Sequence, residues 1–121
     1  MEKKPAEDEA KSGQWFSTEI YFGRHFSARK EISEQQFADF LSGHVTPAFP
    51  AGMTVYDAYG QMQHSSGKIV KQKTKVVVLA HRNSKADDEA INRIVTAYRS
   101  QFGNPQIMIL TKTVKPVFYA D

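Results

Sequence analysis

Residues 53–82, MTVYDAYGQMQHSSGKIVKQKTKVVVLAHR, decide the fold. They read as two long β-strands joined by a tight turn. The first arm, Met53 to His64, is rich in β-branched and aromatic residues. The second, Lys68 to His81, opens with spaced lysines and ends in the run Val76-Val77-Val78-Leu79-Ala80. Gly67 after two serines supplies the hairpin signal. A strand with water on one face alternates apolar and polar side chains. The valine run does not alternate, which predicts a strand covered on both faces and central in its sheet.

On the N-terminal side of this hairpin, Trp15 to Arg24 (WFSTEIYFGR) reads as a strand. Phe16, Thr18, Ile20 and Phe22 share one face of it, and Trp15, Ser17, Glu19 and Tyr21 the other. Gly23 lets the chain bend or another group come close. His25 to Glu31 is a polar connection. Ser33 then suits a helix N-cap, with Gln36 completing a capping box and Ile32 and Phe37 placed as a hydrophobic staple. Phe37, Phe40 and Leu41 form the buried stripe, and Gly43 is the expected stop. In the proline-bracketed connection His44 to Gly52, Val45 and Phe49 are expected to close the lower core.

On the C-terminal side, Ser84 is a second N-cap, followed by Asp87, Asp88 and Glu89, where the helix dipole favours acid. Ile91, Ile94, Val95, Tyr98 and Phe102 make one apolar face, and Gly103 ends the helix. Gln106 to Lys112 is a last strand, Pro116 ends regular pairing, and Val117-Phe118-Tyr119 is expected along an edge. Residues 1–14 are charged and almost without apolar side chains, which predicts a disordered tail ahead of a single α+β domain over 15–121. The order β-α-β-β-α-β with right-handed crossovers is that of the ferredoxin-like fold. It predicts a four-stranded antiparallel sheet of order 4-1-3-2 with both helices on one face.

Composition sets the outer limits. The chain has 121 residues, 40% hydrophobic and 24% charged, the balance of an ordinary globular domain. It has no cysteine, which excludes disulfides, thiol catalysis and cysteine-ligated metals. No apolar run approaches the roughly 20 residues of a membrane span, so no membrane span is expected. MEKKPAEDEAKSGQ has no apolar core of an export signal. The same sequence would remain after such a signal had been removed, so the compartment stays open. Net charge is +3, and residues 1–13 hold four acids and three lysines, leaving +4 on the rest, too mild to demand nucleic acid.

Helices on one side leave the other sheet face open. Glu19 and Tyr21 belong to that face by strand parity. If Val55, Asp57, Tyr59 and Gln61 face the same way, with Lys71, Lys73, Lys75, Val77 and Leu79 from the next strand and Met108 and Leu110 from the last, the face is half apolar. A monomer seldom exposes such a patch. Sheet-to-sheet homodimerisation is the leading expectation, because one isologous contact covers the patch on both copies. Glu19, Tyr21, Asp57, Tyr59, Gln61 and Lys73 then form a candidate ligand-binding cluster at the seam, with a small molecule as the candidate ligand. The opposite parity for the second strand would turn Asp57 toward the helices.

Glu19-Ile-Tyr-Phe-Gly23, Val45-Thr-Pro-Ala-Phe-Pro50, Thr54-Val-Tyr-Asp-Ala-Tyr-Gly-Gln61 and Lys75-Val-Val-Val-Leu79 carry a resemblance. Over about residues 15–114 the chain resembles the DUF3574 family of uncharacterised bacterial proteins. The resemblance implies a small ferredoxin-like domain, often in exported or lipid-anchored proteins of the cell envelope, and it transfers no catalytic residue.

Two functional classes follow. The first is a homodimeric binding or interaction module. The second is a small enzyme in which Glu19 beside Asp57 forms an acid–base pair, one carboxylate being raised toward neutrality. That layout resembles dimeric α+β barrel proteins, including cofactor-free monooxygenases; a haem-linked variant is the other form of this class. No cofactor is expected. Of His25, His44, His64 and His81, none is paired at metal-ligand spacing, and His81 at the strand end is the best placed for a haem or metal. The row Lys68, Lys71, Lys73 and Lys75 does not make a nucleic-acid surface, since valine and leucine stand where RNA-recognition domains carry base-stacking aromatics. It reads as a charged strand end that discourages edge pairing. Gly43, Gly52, Gly60 and Gly103 read as structural punctuation.

Overall fold

The computed structural model describes residues 2–5, 14–27 and 30–120. The strands are β1 (Glu2–Pro5), β2 (Trp15–Gly23), β3 (His25–Ser27), β4 (Lys30–Glu31), β5 (Thr54–Gln63), β6 (Ile69–Arg82), β7 (Ile107–Val114) and β8 (Val117–Ala120). The helices are α1 (Glu34–Phe40), which runs into a π-helical turn over Leu41–Val45, and α2 (Lys85–Gln101).

The hairpin forms as its sequence dictates. Gly67 takes φ +89°, a conformation that L side chains rarely adopt, and its N–H donates to the His64 carbonyl at 2.8 Å. The turn sets Gln63 opposite Ile69, and from there β5 and β6 pair without a register shift to Thr54 opposite Val78. The other edge of β6 pairs with β2 from Thr74 to Arg82, and β2 pairs with β7 along its remaining edge. All three pairings are antiparallel, and the sheet runs β5-β6-β2-β7. Numbered among themselves in chain order, these four strands run 2-3-1-4, which is 4-1-3-2 read from the other edge, and two short pairs, β1–β8 and β3–β4, lie outside the sheet. They arise where the connection after β2 and the segment after Pro116 fold back on neighbouring chain.

Two boundaries also differ. Within the expected disordered tail, Glu2–Pro5 pairs with β8, whose backbone offers an open edge; residues 1 and 6–13 of that tail lie outside the described residues. Gly43 does not stop the first helix. The chain continues helically through Val45, which is fully buried and draws the turn onto the core. The caps match their sequence signals. Ser33 accepts from the Gln36 N–H at 3.0 Å while the Gln36 side chain accepts from the Ser33 N–H at 2.9 Å, and Ser84 accepts from the Asp87 N–H at 3.1 Å.

Both helices pack on one side of the sheet, where Ile20, Phe22, Val77 and Leu79 meet Phe37, Phe40, Ile91, Ile94 and Tyr98 in a single core that Val45 and Phe49 close. Aromatic rings dominate it. Tyr98 lies 4.6 Å from Phe22, 5.1 Å from Phe40 and 4.9 Å from Phe102, centroid to centroid. Its hydroxyl donates to the Gly23 carbonyl at 2.8 Å, which ties α2 to the end of β2. The hairpin runs past this core: Ile69 to Lys73 pair with β5 and not with β2, and Met62, Ile69 and Val70 are exposed there.

Candidate functional site

The register settles which side chains share a face. Ile20 is opposite Val77, and Val77 is opposite Val55, so Val55 and, two residues on, Asp57 lie on the helix side with Lys75. Glu19 is opposite Val78 and Leu110; Tyr21 is opposite Val76 and Met108; Val76 is opposite Tyr56. The expected cluster of Glu19, Tyr21, Asp57, Tyr59, Gln61 and Lys73 therefore divides. Glu19 and Tyr21 stay on the open face, and Asp57, Tyr59, Gln61 and Lys73 take the parity of the helix side, as do Lys71, Lys75, Val77 and Leu79. The reason is the five-residue turn after Gln63, which pairs odd residues of β5 with odd residues of β6 and leaves Val77 in the core.

On the open face Val76 is fully buried between Tyr21 and Tyr56, so this strand is covered on both sides. The Tyr21 hydroxyl donates to Glu19 Oε2 at 2.8 Å. That hydrogen bond, then partial burial, then the charge of Glu19 push the phenol up to about 12, so it stays protonated at neutral pH. Beside Tyr21 lies a half-open depression of about 250 Å³, walled by Met62, Val70 and Met108 and edged by Gln72, Thr74 and Gln106. Gln61 borders it as well. Two positions of this face, Gly23 and Gly60, carry no side chain, with different effects. A Cβ on Gly23 would come 2.6 Å from Gln72 Nε2 and 2.9 Å from the Gln106 carbonyl oxygen, whereas one on Gly60 would meet its nearest neighbours at 3.7 Å. Gly23 is required by packing; Gly60 simply leaves space.

On the helix side, Asp57 joins an ion-pair network instead of a pocket. Lys75 is 7% exposed, and its Nζ lies 2.7 Å from both Asp57 Oδ1 and Glu34 Oε2 and 5.9 Å from the Phe37 ring centroid. Arg24, 5% exposed, reaches Glu34 at 2.9 Å and Glu31 at 3.5 Å and donates to the Ile32 carbonyl at 2.9 Å from Nη2. Lys73 reaches Glu31 at 3.4 Å, and Tyr59 stands exposed across from Lys73. Hydrogen bonds from Lys75 hold the Glu34 and Asp57 carboxyls below their ordinary values. Desolvation pulls the Lys75 ammonium down, but the two carboxylates outweigh it and the net shift is upward.

The buried partners in this network are the cations, so its loss is asymmetric. Replacing both Glu34→Gln and Asp57→Asn strands Lys75 away from water and leaves Arg24 with Glu31 as its carboxylate, and the pair is expected to destabilise more than the two single changes added together. Lys75→Met leaves both carboxylates in solvent and is expected to cost less than that double variant. Because both carboxyl values are lowered in the fold, the stability they confer is present above the ordinary carboxylate range. It is lost as pH falls below that range through the lowered values. Urea titrations near neutral pH and at about pH 3 check this: the double variant should lose most of the acid sensitivity that the parent shows.

His81 is 3% exposed and both ring nitrogens are engaged, Nε2 with Thr18 Oγ1 at 2.6 Å and Nδ1 with the Arg82 carbonyl at 2.9 Å. A carbonyl only accepts, so Nδ1 carries a proton, and a metal or haem iron at Nε2 would have to displace the bond to Thr18. Among the described residues no group of three His, Asp or Glu could hold a metal ion, and no helix is long and apolar enough to cross a membrane.

Arg24, Glu34, Tyr56, Gln72 and Gln106 were not singled out from the sequence. The signal that could have found the depression was available: Gly23 and Gly60 both fall inside strands, where glycine marks close approach or missing volume.

A family model described as "Protein of unknown function (DUF3574)" matches residues 17–118. No curated protein sequence matches the chain. Among solved structures, a phage SAM lyase in complex with S-methyl-5'-thioadenosine is similar with a TM-score of 0.64 at 15% identity, over 88% of each chain. The de novo designed protein Foldit4 is similar with a TM-score of 0.51 at 13% identity, over 84% of this chain and 100% of that one. CutA from Synechococcus elongatus is similar with a TM-score of 0.50 at 11% identity, over 83% of this chain and 78% of that one. At these identities the likeness is one of fold.

Proposed function

The chain belongs to the DUF3574 family, whose description carries no activity, and from that premise we propose that it is a small-molecule-binding module that works as a homodimer. The scaffold reads as ferredoxin-like, and two copies meet across their open sheet faces. The observation that carries this reading is the depression at Gly23 and Gly60, set in a face that exposes Tyr56, Met62, Val70, Met108 and Leu110. An apolar face of this kind is a liability in a monomer. An isologous contact covers it twice with one set of residues and turns two half-open depressions into enclosed ones. Glu19 and Tyr21 contribute as a fixed, uncharged-phenol and carboxylate pair at the edge of that seam.

The register does not support the Glu19–Asp57 form of the enzyme alternative. An acid–base pair of Glu19 and Asp57 needs both on one face, and they lie on opposite faces. Tyr21, held protonated by Glu19, serves as a hydrogen-bond donor and not as a base at neutral pH.

Sedimentation equilibrium across about 1–100 μM is the direct test, a span that brackets the affinities of weak and standard homodimers. A concentration-dependent dimer is expected. A monomer at every concentration would overturn the assembly.

A further inference from the structure

The ligand class can be read from what lines the depression, on the premise that the depression binds a ligand. We infer that it takes an uncharged, flat, nitrogen-rich heterocycle, a nucleobase or its nucleoside, and rejects anions. None of the lining residues carries a formal charge, and the Glu19 carboxylate next to it is occupied by the Tyr21 hydroxyl. A phosphate or carboxylate seated there would be desolvated without a counter-charge and beside the Glu19 carboxylate, which strongly disfavours anionic ligands.

The polar groups that do border it are two carboxamides, Gln72 and Gln106, with the Thr74 hydroxyl. A carboxamide presents a donor and an acceptor side by side, which matches the paired donor and acceptor edge of a purine. Gln72 is held across the depression: its Nε2 lies 2.6 Å from where a Gly23 side chain would begin. The remaining walls, Met62, Met108 and Val70, are thioethers and a branched alkyl group. Sulfur against an aromatic ring edge is a favourable contact, and flexible methionines close on a flat ring from both sides. About 250 Å³ holds one heterocycle with a small appendage.

Adenosine is the probe, with adenosine monophosphate as its charged counterpart, titrated into isotope-labelled protein and followed by amide shifts. Adenosine is expected to shift residues around Gly60, Gln72 and Met108 with a Kd on the order of 100 μM, from its size and ordinary ligand efficiency. The monophosphate is expected to bind at least about tenfold more weakly. Gly60→Ala and Gly60→Val are graded fillers of the depression. A Cβ at this position meets only ordinary contacts, and β-branched residues favour strands, so folding should hold or improve while adenosine binding falls stepwise. Tighter binding of the monophosphate, shifts confined to other residues, or no shift with adenosine or adenine would overturn the inference. The assembly reading fails separately: a sedimenting dimer without adenosine shifts sinks only the ligand class, and a monomer with those shifts sinks only the homodimer.

Discussion

Tyr98→Ala is expected to lower the unfolding free energy by about 3–5 kcal/mol, the range for emptying an aromatic site in a packed core. Tyr98 is fully buried, and four aromatic rings, Phe22, Phe37, Phe40 and Phe102, surround it within 6.1 Å or less. Tyr98→Phe separates the ring from the hydroxyl. The phenylalanine keeps the packing but leaves the Gly23 carbonyl without its 2.8 Å donor, and the expected loss is about 1–3 kcal/mol. Burial pushes the Tyr98 phenol far above its ordinary value, so it keeps its proton and can donate this bond at neutral pH. Urea denaturation of the three proteins checks both numbers. Because the lost bond ends on Gly23, Tyr98→Phe should also loosen the floor of the depression, visible as altered amide shifts at Gly23 and Gln72.

Leu110→Lys is the second large effect. Leu110 is exposed on the open face, opposite Glu19 across the β2–β7 pair. A lysine there can meet Glu19 within one copy, so the monomer's own stability should stay within about 0.5 kcal/mol. At the seam the same charge must be desolvated, and an isologous contact presents it twice. Association is expected to weaken by at least about 100-fold, near 3 kcal/mol, and the variant should sediment as a monomer where the parent is a dimer. Unchanged association would move the contact off this face.

The sequence was a good guide wherever a signal is local. The capping box at Ser33 and Gln36, the cap at Ser84 and the Gly67 turn each depend on residues within a few positions of one another, and each forms as read. The second strand was harder because its parity is set elsewhere. Four consecutive apolar residues, Val76 to Leu79, look the same from either side, and both Val76 and Val77 are fully buried. Only the register against Ile20 and Phe22 tells which of them faces the helices. That one-residue ambiguity moved Asp57 and the lysines to the wrong side. Lys75 misled for a second reason. A lysine reads as a solvated residue, yet its ammonium here sits over the Phe37 ring, and two carboxylates make its burial tolerable. The depression escaped notice because Gly60 shapes it by a side chain that is absent, and its walls on β5, β6 and β7 come together only once the strands are aligned.

The hairpin's overhang has a consequence for how the domain breathes. Between Gly60 and Gln72 the two arms hold only each other, and an isolated two-stranded ribbon is marginal in water. Backbone amides of this segment should trade hydrogen for deuterium well before those of β2, which is clamped on both edges. Anything that settles against Gly60, whether heterocycle or twin subunit, would announce itself first as slowed isotope uptake along that ribbon.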